Sequence, residues 1–321
     1  MAEVKTIDIT TAAGSDTFPL NANKFLAAVE TIAAQNIRAC PNTNRIENGF
    51  YDYSVEFGAV IEEAIVKLAE GAAFAPTADG TQPDLSPKDA KLFIKYFNNW
   101  DALQYKVTKR YDEITKIIAR GGTPEEVAAA IVGSLTEGES FADYGKMRAA
   151  IEAKATAADC STALFGGKVP ANMKGVAYAL RQMYNVCKAT NDKGGVPAKQ
   201  GVDPSLVRVA ISEKALNLMD VTELANLFNL SKEELFGTLV VLPEDETYTG
   251  DKVLVYDVRA MGRGTRLYEM ATEDFRGQRY ENFYLNTDRC YFDNGLFKAF
   301  GLDISQAMAT AEGQLLAAKG K

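Results

Sequence analysis

The sequence predicts an α+β fold, because strand and helix patterns occupy different parts of its 321 residues. Residues 103–114 alternate between apolar and polar side chains, as a half-buried strand does. Residues 123–156 open with side chains that favour a helix start, and residues 170–190 carry apolar side chains at helical spacing. Strand patterns return after residue 200 and dominate the chain up to residue 300.

The first 50 residues are polar and weakly periodic, which predicts an extended arm with one short helix near residues 22–35. Strand-like alternation begins in residues 51–57, while residues 58–74 are apolar at a spacing that fits a strand or a helix. Residues 75–87 hold three of the ten prolines and predict an exposed loop. A strand pair around a polar loop would project as a hairpin-like flap.

The middle of the chain reads as helix. Thr123, Pro124 and Glu126 form a capping box with proline at the first helical position. Ser140 and Asp143 repeat that arrangement, as if a second helix began there. Three glycines also weaken the stretch: Gly133, Gly138 and Gly145. The prediction is therefore either two helices or one long kinked helix. In residues 170–190 one apolar stripe contains Val176, Leu180, Tyr184 and Cys187.

The C-terminal half alternates strands with tightly capped segments. Residues 206–216 predict a strand that runs into a turn. Two capping boxes follow in tandem, Asp220 with Glu223 and Ser231 with Glu234. Gly237 ends the second of these helices, and residues 238–242 predict a buried strand. The remaining elements are strands at 251–261 and 265–275, an aromatic strand pair at 282–300, and a helix at 303–318.

Composition excludes several classes of protein. The formal net charge is −8, and an acidic chain is poorly suited to wrapping nucleic acid, since phosphate contact needs clustered Lys and Arg. Histidine is absent, which rules out catalysis by histidine and histidine-ligated metals within this chain. No signal peptide and no membrane-spanning run is expected. Neither a cofactor nor a metal is predicted.

The four cysteines lie far apart and form no CxxC pair: Cys40, Cys160, Cys187 and Cys290. This spacing argues against a zinc site and against a disulfide framework, and it favours reduced or buried thiols. Three carboxylate pairs, at 62–63, 125–126 and 233–234, are not expected to serve one substrate, because adjacent helical residues point in different directions.

One basic cluster and one aromatic stretch are the candidate contact sites. The basic cluster consists of Arg259, Arg263 and Arg266, followed by Arg276 and Arg279. It is interpreted as a loop that meets an acidic surface of a neighbouring chain, with an anion site as the alternative. In the aromatic stretch 93–106, Trp100 and Tyr105 are expected to pack against a partner or the core.

Four stretches, in order, resemble the major capsid proteins of tailed phages with the Hong Kong 97 fold. The most telling is "DVTELANLFNLSKEELFGTLVVLPEDE" at 220–246. The others are "EFGAVIEEAIVKLAEGAAF" at 56–74, "FNNWDALQYKVTKRYDEITKIIA" at 97–119 and "YLNTDRCYFDNGLFKAFGLDIS" at 284–305. Within that family the run at 220–246 looks most similar to the branch of short-tailed and crAss-like phages.

The resemblance implies a division of the chain into five segments. These are an N-terminal arm at 1–50, an extended loop at 51–115, a peripheral domain with a spine helix at 116–194, an axial domain at 195–270, and a return to the peripheral domain with a C-terminal helix at 271–321. The spine helix would lie within 123–156. The capped segment at 220–242 would then build the axial wedge.

The resemblance also implies a function without enzymatic activity. The chain is expected to assemble with itself into hexamers and pentamers of an icosahedral shell, with a scaffolding protein and a portal as further partners. Double-stranded DNA would lie inside without sequence-specific binding, and no membrane is involved. The protein would be made in the bacterial host cytoplasm. Two alternatives stay open: an encapsulin-type nanocompartment shell, and a cytosolic enzyme that uses carboxylates.

Overall fold

The computed structural model describes residues 44–67, 91–110, 124–157, 169–191, 200–219, 238–243, 250–275 and 280–319. The chain divides into two compact units. The helices are α1 (Asn44–Glu47), α2 (Pro124–Thr156), α3 (Met173–Lys188), α4 (Glu213–Asn217) and α5 (Ser305–Lys319). The strands are β1 (Tyr51–Ser54), β2 (Ile61–Val66), β3 (Leu92–Phe97), β4 (Asp101–Arg110), β5 (Val207–Ser212), β6 (Leu239–Leu242), β7 (Lys252–Asp257), β8 (Met261–Phe275), β9 (Tyr280–Asp293) and β10 (Ala299–Asp303).

The first unit is built on the pairing of β4 with β9, which are antiparallel. Its described parts are 100–110, 124–145, 265–275 and 280–289. An apolar stripe of α2 packs on Phe283 and Leu285 of β9, with Tyr105 and Val107 of β4 beside them. The stripe consists of Val127, Ala128, Ile131, Val132 and Leu135. The alternation predicted for 103–114 is confirmed as far as Arg110, where the described range ends.

The second unit has a four-stranded sheet in the order β10-β7-β5-β6. Strands β5 and β6 are parallel, and the other pairs are antiparallel. Helix α3 covers this sheet with the predicted stripe, and Val176, Leu180, Tyr184 and Cys187 are all buried in the core of the unit. The predicted helix is therefore confirmed. Its apolar side chains recur at the helical period over four turns, as expected for a helix with one buried face.

The second four-stranded sheet has the order β1-β8-β9-β4. A separate two-stranded sheet, β2 with β3, lies within the second unit and flanks the proline-rich loop, which itself falls outside the described residues. Residues 61–66 are thus strand, which settles the strand-or-helix alternative for that part of 58–74. Among the described residues, those of 265–289 belong to the first unit and those of 290–321 to the second, where β10 pairs with β7.

Three local predictions need correction. The two-helix alternative is wrong, because α2 is one helix of 33 residues and Asp143 lies inside it. Residues 213–217 form a short helix rather than a turn, since the Ser212 Oγ accepts a hydrogen bond from the Ala215 N–H at 3.1 Å. The basic segment 258–266 is a 3₁₀ turn that leads into β8, and not a loop.

Several predictions concern residues outside the described ranges. They include the arm up to residue 43, the loop 75–87, the cap at Thr123 and both tandem capping boxes at 220–234. The strand that follows those boxes is confirmed as β6. The C-terminal helix is confirmed as α5. Two strands, β9 and β10, lie in the predicted region 282–300, but they do not pair, because β9 joins β4 and β10 joins β7 in a different sheet.

Candidate interaction surfaces

The hairpin formed by β2 and β3 has one covered face and one open face. Antiparallel pairing places directly opposed residues on the same face, and the register joins Ala64 to Ile94 and Val66 to Leu92. On the covered face Ile61 and Ile65 are 3% and 8% exposed. On the open face the large apolar side chains are far more exposed: Val66 48%, Leu92 54%, Ile94 42% and Tyr96 64%. We call these four residues the open hairpin face.

The base of the hairpin is fastened by aromatic packing. The ring of Phe97 stacks on Phe292 with centroids 3.9 Å apart, and Tyr53 lies 5.6 Å from the same ring. The Tyr53 hydroxyl donates a hydrogen bond to the Glu63 carboxylate. Burial and this hydrogen bond raise the pKa of Tyr53 above its ordinary value. These contacts join the base of the hairpin to Phe292 of β9.

Two glycines allow this arrangement. Gly58, between β1 and β2, has a φ of 88°, a left-handed conformation that side chains with a Cβ rarely adopt. Gly262 lies under Phe292, where a Cβ would come within 2.1 Å of the ring. The chain thus turns into the hairpin at Gly58, and the Phe292 ring needs glycine at residue 262.

The predicted basic cluster is engaged within its own chain. The Arg259 guanidinium donates to the Asp257 carboxylate at 2.6 Å and lies 4.5 Å from the Phe297 ring centroid. The Arg263 guanidinium binds two acids at once, Asp52 at 2.8 Å and Glu47 at 2.9 Å.

Arg266 donates from Nε to Asp288 at 2.8 Å and stacks over the ring of Trp100, 4.7 Å from its centroid. Arg276 and Arg279 lie outside the described residues. Contact of these five arginines with a neighbouring chain stays a prediction.

The two aromatic candidates belong to the first unit. Trp100 is half-buried beneath Arg266, so its ring serves as the stacking partner of a guanidinium. Tyr105 packs against the α2 stripe, and burial raises the pKa of its phenol. Both side chains are engaged within their unit, and a further role in contact between subunits is untested for them too.

The structure contains a buried ion cluster that the sequence did not predict. Arg289 of β9 forms ion pairs with Glu139 at 2.7 Å and with Asp143 at 2.6 Å, and both acids are almost fully buried in α2. The guanidinium lies 5.5 Å from the Tyr268 ring, and burial together with Glu139 raises the pKa of Tyr268 to about 12. The available signal was the spacing of Glu139 and Asp143, which puts both acids on one helix face.

A second buried cation lies at the end of α3. The ammonium of Lys298 donates to the carbonyl oxygen of Ala189 at 2.5 Å and to Asn191 Oδ1 at 3.3 Å. Positive charge at a helix C-terminus satisfies carbonyl groups that have no partner in the helix. Burial lowers the pKa of Lys298.

No group of three or more potential metal ligands exists among the residues described. Cys187 and Cys290 are buried thiols outside any disulfide, as predicted for them, and burial raises the pKa of Cys187 to about 12, which disfavours the reactive thiolate. Cys40 and Cys160 are outside the described ranges. None of the helices in those ranges is long and apolar enough to span a membrane.

Comparison with known proteins points to one family. The family model of Phi29-like phage major capsid proteins matches residues 3–292. No curated protein matches the sequence. Among solved structures, the capsid of Staphylococcus phage Andhra aligns with a TM-score of 0.61 at 7% identity, covering 79% of this chain and 83% of that one. The head of Helicobacter pylori bacteriophage KHP40 aligns with a TM-score of 0.51 at 11% identity, covering 79% and 86%.

Such low identities show the shared fold, which is the predicted Hong Kong 97-type α+β capsid fold. The family match carries the functional assignment, and it favours neither the encapsulin alternative nor the enzyme. The predicted branch of short-tailed and crAss-like phages is not tested by these matches. On the strength of a match that spans residues 3–292, the chain belongs to the family of Phi29-like phage major capsid proteins.

Proposed function

We propose that this chain assembles with copies of itself into the icosahedral head shell of a tailed phage, and that the open hairpin face packs on a neighbouring copy. The open hairpin face carries the proposal. A two-stranded sheet with four large apolar side chains in water gains stability when a partner covers it. In a closed shell that partner is another copy of the same chain, repeated by symmetry.

The five-segment division extends this proposal. The hairpin β2–β3 within 51–115 would be the extended loop, and α2, about 50 Å long at 1.5 Å per residue, would be the spine helix. The axial domain at 195–270 is supported by the sheet of β5, β6 and β7. The pairing of β10 with β7 favours extending that domain into 271–321. Arm 1–50 would reach over a neighbouring subunit.

Further partners follow from the same assignment. The shell would be built with a scaffolding protein and a portal, would enclose double-stranded DNA, and would form in the cytoplasm of a bacterial host. Hexamers and pentamers of the chain would make up the shell. The chain would act through these contacts and not through catalysis.

The test is to charge the open hairpin face. In the variant I94K/Y96K two ammonium groups replace apolar side chains that a neighbour would bury, where each full burial stabilises by about 1.5–3 kcal/mol. The variant should stay as unassembled subunits at concentrations where the unmodified chain forms shells, with or without its scaffolding protein. Size-exclusion chromatography and electron microscopy measure this outcome.

The matched control is A309K/T310K, which adds the same charge on exposed residues of α5. It should form shells like the unmodified chain, and both variants should unfold at a similar temperature. Closed shells of I94K/Y96K at the unmodified concentration would contradict the hairpin contact. A compact monomer of the unmodified chain under every condition would contradict shell assembly itself.

A further inference from the structure

Helix α3 presents a polar stripe on the side opposite its buried one. Lys174, Tyr178, Arg181, Asn185 and Lys188 follow one another at intervals of four, three, four and three residues, so they share one helix face. The first four are exposed, and Tyr178 is 53% exposed. We call these five residues the α3 basic stripe. The stripe is about 21 Å long, since 14 residues separate its ends.

The charge of this stripe stands out against the rest of the chain. Helix α3 contains three cations and no Asp or Glu, whereas the whole chain has a formal net charge of −8. Within the part of the chain that the structure describes, no carboxylate pairs with Lys174 or Arg181. The Lys188 ammonium lies 4.4 Å from the Tyr184 ring centroid. On α5, which packs beside α3, Glu312 is already paired with Lys214 at 2.6 Å.

We propose that the α3 basic stripe is a contact site for the phosphate backbone of double-stranded DNA. The cations are spaced about 10 Å apart along the helix, and duplex DNA offers about one phosphate charge per 1.7 Å of its axis, so each cation finds a phosphate in any sequence. Tyr178 and Asn185 supply hydroxyl and amide donors of the kind that bind phosphate oxygens.

This inference rests on the proposed function, because only a shell that encloses DNA presents duplex to its subunits. One stripe binds weakly, since three phosphate contacts contribute little at physiological salt. Repetition over the shell multiplies the effect, because copies held together bind one polymer at high effective concentration. The contact is independent of base sequence. The net negative charge of the rest of the subunit repels DNA and keeps the binding weak.

The experiment uses the full chain before assembly, when both of its sides are accessible, and a short fluorescent DNA duplex. Fluorescence anisotropy between about 25 and 200 mM NaCl gives the slope of log Kobs against log [NaCl]. The variant K174Q/R181Q should bind more weakly at low salt. Its slope should be shallower by about 1.8, because each phosphate contact contributes about 0.9. The control K106Q/R110Q removes the same charge from exposed residues of β4 and should keep the unmodified slope.

Equal losses in the two variants would overturn the inference, because the effect would then be one of net charge alone. So would the absence of duplex binding at the lowest salt. Polyglutamate is the second probe: if it binds the stripe as tightly as duplex does, the partner is an acidic protein and not DNA. Shell formation, followed by electron microscopy in the same samples, reports separately on the proposed function.

Discussion

At the scale of single residues, the contact between Gly262 and Phe292 positions the base of the hairpin. Gly262 and Phe292 occupy space that no larger pair can share, because a Cβ on residue 262 would lie 2.1 Å from the ring. The same ring stacks on Phe97 of the hairpin. A one-carbon change at Gly262 therefore moves Phe292 and, through it, the base of the hairpin.

The substitution G262A should destabilise the fold by about 1–3 kcal/mol, the usual cost of overpacking a filled site. Urea unfolding measures the change. The matched control is G133A, where a Cβ meets nothing within 4 Å and α2 is continuous, so alanine should stabilise by about 0.5–1 kcal/mol. An unchanged midpoint for G262A would show that Phe292 is free to shift.

At the scale of elements, the packing of α2 against β9 stabilises the first unit. The α2 stripe buries its apolar side chains on β9, and the same two elements share the buried cluster of Arg289 with Glu139 and Asp143. The Arg289 guanidinium pairs with both carboxylates, so its loss removes two buried ion pairs at once.

The substitution R289M should cost about 3–5 kcal/mol, because it leaves two carboxylates buried without their cation. Chemical unfolding followed by circular dichroism checks this value. The control K214M breaks the pair with Glu312, whose side chains are about 40% exposed, and should change stability by about 0–1 kcal/mol. In the triple variant R289M/E139Q/D143N most of the loss should be recovered. Equal effects of R289M and K214M would refute the assigned role.

At the scale of the whole molecule, each of the two units has a hydrophobic core of its own. Tyr184 is buried in the core of the second unit, and the partly buried Tyr105 and Tyr268 pack against the core of the first. Burial raises the pKa of Tyr53 and Tyr256 in the second unit and of Tyr105 and Tyr268 in the first. The Tyr256 hydroxyl is fully buried and donates to the Gly49 carbonyl at 2.9 Å.

These tyrosines make alkaline pH destabilising. Each has a folded-state pKa above its unfolded value of 10.0, so the unfolded chain releases protons first as the pH rises. The stabilisation is complete below pH 10 and should be lost progressively above it. Urea unfolding at successive pH values from 8 upward measures the decline, and tyrosinate absorbance should appear together with unfolding. In Y256F the decline should be shallower. A flat profile above pH 10 would contradict the burial of these phenols.

How much of this could be predicted depends on the range of the interaction. The period of α3 and the alternation of β4 are local patterns, because a helix or strand with one buried side repeats its apolar residues at its own spacing. The continuity of α2 was not predictable from its glycines and internal caps. Packing on β9 stabilises the helix through Gly133 and Gly138, where local preference alone would interrupt it.

At the candidate sites too, the sequence predicted the residues but not their partners, as the arginines show. The sequence showed that Arg259, Arg263 and Arg266 cluster along the chain, and it led to a predicted contact with another chain. Arg259 binds the neighbouring Asp257, but the acids that the other two arginines bind lie elsewhere in the sequence. Arg263 binds Asp52 across 211 residues. The exposure of Ile94 and Tyr96 could not be predicted either, since the residue pattern of a strand does not show which of its two faces the rest of the protein covers.

By itself the sequence determined the α+β class, the main helices and strands, and the resemblance to tailed-phage capsid proteins, because these follow from local period, capping and residue order. Only the tertiary structure decided that β4 pairs with β9, that β10 joins β7, and which surfaces stay open. The reason is physical. Strand pairing, a buried ion cluster and an exposed face all depend on contacts between residues far apart in the chain, and a local sequence pattern does not predict such contacts.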